Sequence, residues 1–169
     1  MNRIAVLTSG GDAPGMNACI RAVVRTALNN KIDIYGVERG YAGLVKGEIK
    51  RLESRSVSDM IHKGGTFLNT ARCTEFKDIE VQRQAVEALS AYGIDGLVVI
   101  GGDGTFRGAR DLSENFGIKV MGIPGTIDND LAITDHTPGY GSAAKYIAAT
   151  TKEIIRDGLV YDYPVVSVI

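Results

Sequence analysis

Gly96-Leu97-Val98-Val99-Ile100, followed by Gly101-Gly102-Asp103-Gly104-Thr105, is the stretch whose reading decides the fold. Its first five residues form a short apolar run, the mark of a strand buried on both faces. The glycine turn after them opens a helix expected to run to about Asn115, with Gly117 as its stop. Lys119-Val120-Met121-Gly122-Ile123 is the next strand, and it delivers Pro124-Gly125-Thr126-Ile127-Asp128-Asn129-Asp130. A strand–helix–strand unit sets its two strands parallel, so two carboxylate-bearing turns leave the same end of one sheet. That end is where open α/β sheets bind their ligands.

Chemistry gives these residue types a reason to sit there. Glycines let a backbone approach a polyphosphate, and the free amides of a helix start point at its charge. A polyphosphate needs a divalent cation, and Asp103 is the carboxylate placed to hold Mg²⁺ through its water shell. A hydroxyl that attacks the terminal phosphoryl group needs a carboxylate to accept its proton. Asp128 and Asp130 are the candidates. Taken alone, Gly-Gly-Asp-Gly-Thr also reads as a plain strand-to-helix turn; the second turn, with two acids and a threonine, shifts the balance toward a site.

Upstream, Arg3 to Leu7 reads as a strand, followed by the glycine-rich turn Thr8-Ser9-Gly10-Gly11-Asp12-Ala13-Pro14-Gly15-Met16-Asn17. This turn suits phosphate approach yet matches neither the Walker pattern nor G-x-G-x-x-G. Met16, Ile20, Val23, Val24, Ala27 and Leu28 recur at helical spacing and mark a core-facing helix on which Cys19 is a small structural residue. Arg21 and Arg25 share a face of that helix, which suits a solvated surface or an anion site equally. Asp33 to Glu38 is a second strand, and Tyr41 to Arg55 a charged connection with a short strand pair near Ile49. Ser56-Val57-Ser58-Asp59 has the form of a capping box for a short helix that carries His62 and ends at Gly64-Gly65. Thr66 to Cys73 is a loop or short strand; its Arg72 reads as a surface arginine or a phosphate contact. A helix over Ile79–Tyr92, stopped by Gly93, leads back to the deciding strand. Beyond Asp130, a loop containing His136, read as structural or solvated, precedes a helix from about Ser142 to Arg156. That helix has Ala143, Ala144, Ile147, Ala148, Ile154 and Ile155 as apolar positions, and a last strand begins near Pro164. A closing strand with nothing after it gives the appearance of a cut. The alternation predicts a doubly wound, mostly parallel, Rossmann-like α/β sheet with helices on both faces.

Bulk composition narrows the class. The 169 residues suit one domain, and 44% hydrophobic with 23% charged residues is ordinary for a soluble globular chain. Glycine, at 21 residues, stands well above the usual ~7% and clusters at strand ends. A net charge of −1 makes no electrostatic case for nucleic acid or an anionic membrane. No apolar run approaches the ~20 residues that span a bilayer, and the N-terminus lacks a signal-peptide core. Cys19 and Cys73 show no metal spacing and no disulfide framework, so the expected setting is a reducing cytoplasm.

Thr8 to Asn17, Gly64-Gly65-Thr66 with Ala71-Arg72, Gly101 to Thr105, and Pro124 to Asp130 together resemble the 6-phosphofructokinase family. The resemblance covers essentially the whole chain. It implies the nucleotide-binding N-terminal domain of an α/β kinase, residues 1–169, without the sugar-phosphate-binding half. That family transfers a phosphoryl group from Mg²⁺-bound ATP to the 1-hydroxyl of fructose 6-phosphate, usually as a homotetramer. By position, Asp128 resembles the catalytic base, with Thr126, Ile127 and Asp130 beside it on the substrate side, and Asp103 the Mg²⁺ carboxylate. Gly11, Arg72, Cys73, Gly102, Gly104, Thr105 and Gly108 resemble nucleotide-site positions. Arg21, Arg25 and Arg156 resemble a nucleotide-effector site. Pyrophosphate-using relatives typically carry Asp for Gly104 and Lys for Gly125, so glycine at both implies ATP. Thr137-Pro138-Gly139-Tyr140-Gly141-Ser142-Ala143 looks instead like the pyrophosphate branch, which keeps that donor as an alternative. So does a fragment that binds nucleotide without catalysis. Tyr161 to Val165 lacks the arginine the family carries before its last strand, and Ser54-Arg55 replaces a common Arg-Tyr at the effector site.

Overall fold

The computed structural model describes residues 2–132, 134–164 and 166. Its frame is a five-stranded sheet of β1 (Arg3–Thr8), β2 (Asp33–Val37), β3 (Ile49–Arg51), β4 (Gly96–Gly101) and β5 (Val120–Pro124), in the order β3-β2-β1-β4-β5. β1 pairs in parallel with β2 and β4, β4 in parallel with β5, and the short β3 runs antiparallel to β2. The predicted mostly parallel sheet is therefore correct. The connections between strands are α1 (Met16–Asn29), α2 (Gly40–Val45), α3 (Ile79–Ala91) and α4 (Asp103–Phe116), and α5 (Tyr140–Gly158) follows β5.

Helices lie on both faces of the sheet because each central strand sends alternate side chains to opposite sides. Ala5 and Leu7 of β1 and Leu97 and Val99 of β4 join Leu44, Ala85, Leu89 and Leu112 in one core. Val6 and Ile100 join Met16, Ile20, Val24, Val57 and Leu68 in the other. The α1 stripe read from the sequence is the stripe that is buried. Gly117 caps α4 in the left-handed region at φ +70°, where an L side chain would be strained.

Three local expectations need correction. The connection after β2 contains the helix α2, entered through Arg39 in the left-handed region, and the strand at Ile49 pairs with β2. Ser56-Val57-Ser58-Asp59 opens no α-helix: a 3-10 turn covers Ser54–Val57, Ser58 is extended and Asp59 has φ +52°. Tertiary anchoring prevails there, since Val57 is fully buried and its carbonyl accepts a hydrogen bond from Arg21 Nη1 at 2.7 Å. His62 consequently stands on a turn rather than a helix, 3.9 Å from Asp59. A further 3-10 turn, Thr74–Lys77, which no sequence signal marks, seats Phe76 in the core. The expected strand over Pro164–Ile169 falls largely outside the described residues.

Candidate functional site

β1 is the point at which the sheet reverses its strand order: the chain passes to β2 on one side and later returns to β4 on the other. Loops leaving two such neighbours diverge and open a crevice at the carboxyl ends of the strands. A cleft of about 1040 Å³ occupies that place, lined by Ser9–Asp12 after β1, Gly102–Thr105 after β4 and residues of the Gly125–Asp130 turn after β5. Ala71 to Thr74, with Phe76 and Lys77, forms a further wall.

Its floor is locked by buried polar contacts. Thr105 Oγ1 donates to the Ser9 carbonyl at 3.0 Å, tying the first turn to the second, and Gly101 is a glycine because a Cβ there would lie 2.4 Å from that carbonyl. Thr8 Oγ1 donates to the Asn69 carbonyl and lies 2.8 Å from Thr66 Oγ1. Asn17, 5% exposed, donates to the carbonyls of Lys63 and Gly64 and accepts from the Phe67 amide. Thr8 and Asn17, at the two ends of the turn read in the sequence as suiting phosphate approach, spend these groups, with Thr66, on holding the loop that leads to Arg72. By contrast, a Cβ at Gly11 or Gly104 would meet no protein atom within 4 Å. Packing does not require glycine at either position, and the room it leaves adjoins the cleft.

Tyr41 and Phe76 were not singled out by the sequence. Their rings stack at 4.2 Å, and Tyr41 donates its hydroxyl to the Thr105 carbonyl at 2.6 Å, 64 positions away in the chain. Gly108 admits this ring: a Cβ there would stand 2.9 Å from it. Burial, with Asp111 nearby, pushes the Tyr41 phenol well above its usual range, so it remains a donor. The Cys73 thiol is also pushed up, chiefly by burial, and stays protonated at neutral pH. No spacing rule could have paired Tyr41 with Phe76, because the contact is long-range.

Every residue expected at a nucleotide or phosphoryl site lines this one cleft: Gly11, Arg72, Cys73, Gly102, Asp103, Gly104, Thr105, Gly108, Thr126, Ile127, Asp128 and Asp130. Asp103 and Asp128 therefore face a shared space. Asp103 sits at the first position of α4, whose N-terminus has no side-chain cap, and pairs with Arg107 at 2.8 Å one turn on. Free first-turn amides beside a basic side chain suit an anion. Arg21, Arg25 and Arg156 stand outside the cleft. Arg21 is occupied by the Val57 carbonyl, Arg25 is exposed on α1, and Arg156 pairs with Glu153 at 3.0 Å on α5.

Comparison with known proteins identifies the family and the fold. The phosphofructokinase family model matches residues 3–158. The chain belongs to the phosphofructokinase family. An ATP-dependent 6-phosphofructokinase of Clostridium botulinum is 59% identical over 154 residues, covering 91% of this chain and 48% of that protein. The chain thus spans about half the length of the curated relatives it matches. Phosphofructokinase from Saccharomyces cerevisiae superposes with a TM-score of 0.85 at 37% identity, over 94% of this chain and 24% of that one. A pyrophosphate-dependent phosphofructokinase from Nitrosospira multiformis superposes at 0.83 with 27% identity, over 92% of this chain and 42% of that one. The similarity in sequence is thus greater to the ATP-dependent relative, at 59%, than to the pyrophosphate-dependent one, at 27%.

Proposed function

We propose that this chain forms the nucleotide-binding N-terminal part of an ATP-dependent 6-phosphofructokinase. The reaction moves the terminal phosphoryl group of ATP to the 1-hydroxyl of fructose 6-phosphate, giving fructose 1,6-bisphosphate and ADP. The observation that carries the reading is the convergence of Asp103 and Asp128, from turns after adjacent parallel strands, on one cleft at the switch point of the sheet.

In this reading the nucleotide lies across Gly11, Arg72, Cys73 and the Gly102–Thr105 turn, with Gly108 and the Tyr41–Phe76 stack closing its wall. Arg72 and the first-turn amides of α4 meet phosphate charge, and Thr126, Ile127 and Asp130 border the acceptor. Asp128 takes the proton from the sugar hydroxyl as the oxygen attacks the phosphorus in line. The residues present fit Mg²⁺ in the manner usual with nucleotides. Among the described residues no three His, Cys, Asp or Glu side chains form an all-protein cage, and Mg²⁺ ordinarily takes one or two carboxylates and completes its shell with water and phosphate oxygens. Asp103, with its side chain 65% exposed, is the residue that would hold it. Bound there, the ion would neutralise charge on the transferred phosphate. A homotetrameric enzyme with Arg21, Arg25 and Arg156 at a nucleotide-effector site belongs to the same proposal.

Asp128→Ala in the protein at the full length of its relatives tests the assignment; turnover within a few-fold of wild type would remove it. Because the chain spans about half of such relatives, a second reading is that it binds nucleotide without transferring phosphate. ATP binding with no turnover of fructose 6-phosphate would distinguish the two. Pyrophosphate as donor is favoured only by the Thr137–Tyr146 segment, and comparing both donors at equal concentration decides it. Gly104 argues for ATP, since the space that a Cβ would fill there is open.

A further inference from the structure

The Asp128 carboxylate has no side-chain hydrogen bond among the described residues, and the residue is exposed. Its place must therefore come from its backbone. Sheet hydrogen bonding ends just before it, where the Gly125 amide donates to the Gly101 carbonyl at 2.9 Å. Past that bond, a different residue takes over. Thr137, 4% exposed, donates its Oγ1 to the Thr126 carbonyl at 2.6 Å, and its amide donates to Asn129 Oδ1 at 2.8 Å. Asn129, held at φ +52°, donates its Nδ2 to the Asp135 carbonyl at 3.1 Å. Thr126 Oγ1 accepts the Asp128 amide at 3.2 Å. Asp128 is thus bracketed by Thr126 on one side and Asn129 on the other, and Thr137 grips both.

The far end of this clamp is anchored too. A Cβ on Gly139 would lie 3.1 Å from the Gly15 nitrogen, and one on Gly15 would lie 2.8 Å from the Pro138 carbonyl carbon. The segment after Thr137 is therefore docked without slack on the loop leaving β1, which forms the opposite lip of the cleft. We propose that Thr137 and Asn129 are positioning residues that set the Asp128 turn against the nucleotide side of the cleft. This rests on the role given to Asp128 above, and neither residue touches the reacting atoms.

The test uses Thr137→Val, which keeps the shape and removes the donor, Thr137→Ser, which keeps the donor, and Asn129→Ala. In the protein at the full length of its relatives, Thr137→Val and Asn129→Ala should lower kcat by about 10- to 100-fold through misplacement of the base. Their KM for ATP should stay within about threefold, because ground-state binding lies on the other lip. Thr137→Ser should recover kcat to within about threefold of wild type, since it restores the bond to the Thr126 carbonyl. In the present chain, amide exchange at Asp128 and Thr137 should quicken about tenfold or more in Thr137→Val, with Leu97–Ile100 unchanged, because only local opening is affected. Unaltered kcat in Thr137→Val, failure of serine to rescue, or unaltered exchange in the acidic turn would each overturn the clamp. If the wild-type protein transfers no phosphate to fructose 6-phosphate, the functional reading falls, and exchange alone then decides for or against the clamp.

Discussion

Two regions of this molecule follow the same strand–helix rule and end differently. From β1 to α4 every long helix buries a stripe against the sheet: Ile20 and Val24 on α1, Ala85 and Leu89 on α3, Ala109 and Leu112 on α4. From β5 onward, α5 buries none of its residues, and Ile147, Ile154 and Ile155 are 49%, 40% and 54% exposed. Met121 on the edge strand β5 is 66% exposed. The cleft straddles this seam. The lip formed by the turns after β1 and β4 stands on closed core, whereas Asp128 leaves the strand whose outer side is uncovered among the described residues. An amphipathic period shows which face of a helix seeks cover and cannot show that cover is present.

The largest effect expected comes from the uncovered side. Asp128→Ala should reduce kcat by about 10²- to 10⁴-fold in the full-length protein, the range for loss of a positioned base, with ATP binding retained by the opposite lip; steady-state kinetics with titration of ATP checks both. Next comes stability, where the regions should separate sharply. Leu97→Ala, at a site 1% exposed, should cost about 2–5 kcal/mol in denaturant unfolding of this chain. Ile155→Ala should change it by less than about 0.5 kcal/mol, as for surface sites. A cost above about 1 kcal/mol at Ile155 would mean that α5 is covered and would break the comparison.

A smaller effect is expected at Asp103, the carboxylate proposed to hold Mg²⁺. Arg107 and Asp103 are exposed at 70% and 65%, so their pairing is worth at most about 1 kcal/mol. Arg107→Gln should therefore strengthen Mg²⁺ binding by no more than a few-fold, read by calorimetry with Mg²⁺ alone. Smallest is a pH effect at the start of the frame. Asp95 accepts the amides of Asn2 and Arg3, and these bonds hold its carboxyl below the usual carboxylate range. A depressed folded-state pKa adds stability that is present above the unfolded value and lost as pH falls through the folded one. Asp95→Asn should therefore lower stability slightly at neutral pH and flatten the acid limb, the variant and wild type converging below about pH 4 as the wild-type carboxyl protonates.

Much of the frame was legible because its signals are local. The apolar run at Gly96–Ile100, the glycine stop at Gly117 and the α1 stripe each depend on residues within a turn or two of one another, and each stands where it was expected. The doubly wound topology follows from their order. The acidic turns could be assigned to one edge of the sheet because parallel crossover fixes which ends of the strands face the same way. Ser56 to Asp59 shows the opposite case: a sound capping pattern loses to Val57, which the core takes, and to Arg21, which claims its carbonyl. The α2 helix is not legible in the sequence, because six residues, two of them glycine, carry too little periodicity.

What the sequence determined by itself is therefore the order of the long strands, the long helices and the glycine turns, and with it the gathering of Asp103 and Asp128 at one sheet edge. Only the tertiary structure decided that Tyr41 would stack on Phe76, that Thr137 would grip both neighbours of Asp128, and that α5 would bury none of its residues among the described ones. The physical reason is range. Backbone preference and side-chain period act between close neighbours along the chain, whereas a clamp, a stack or a covered face depends on which distant surfaces meet, and that is settled only once the sheet has closed.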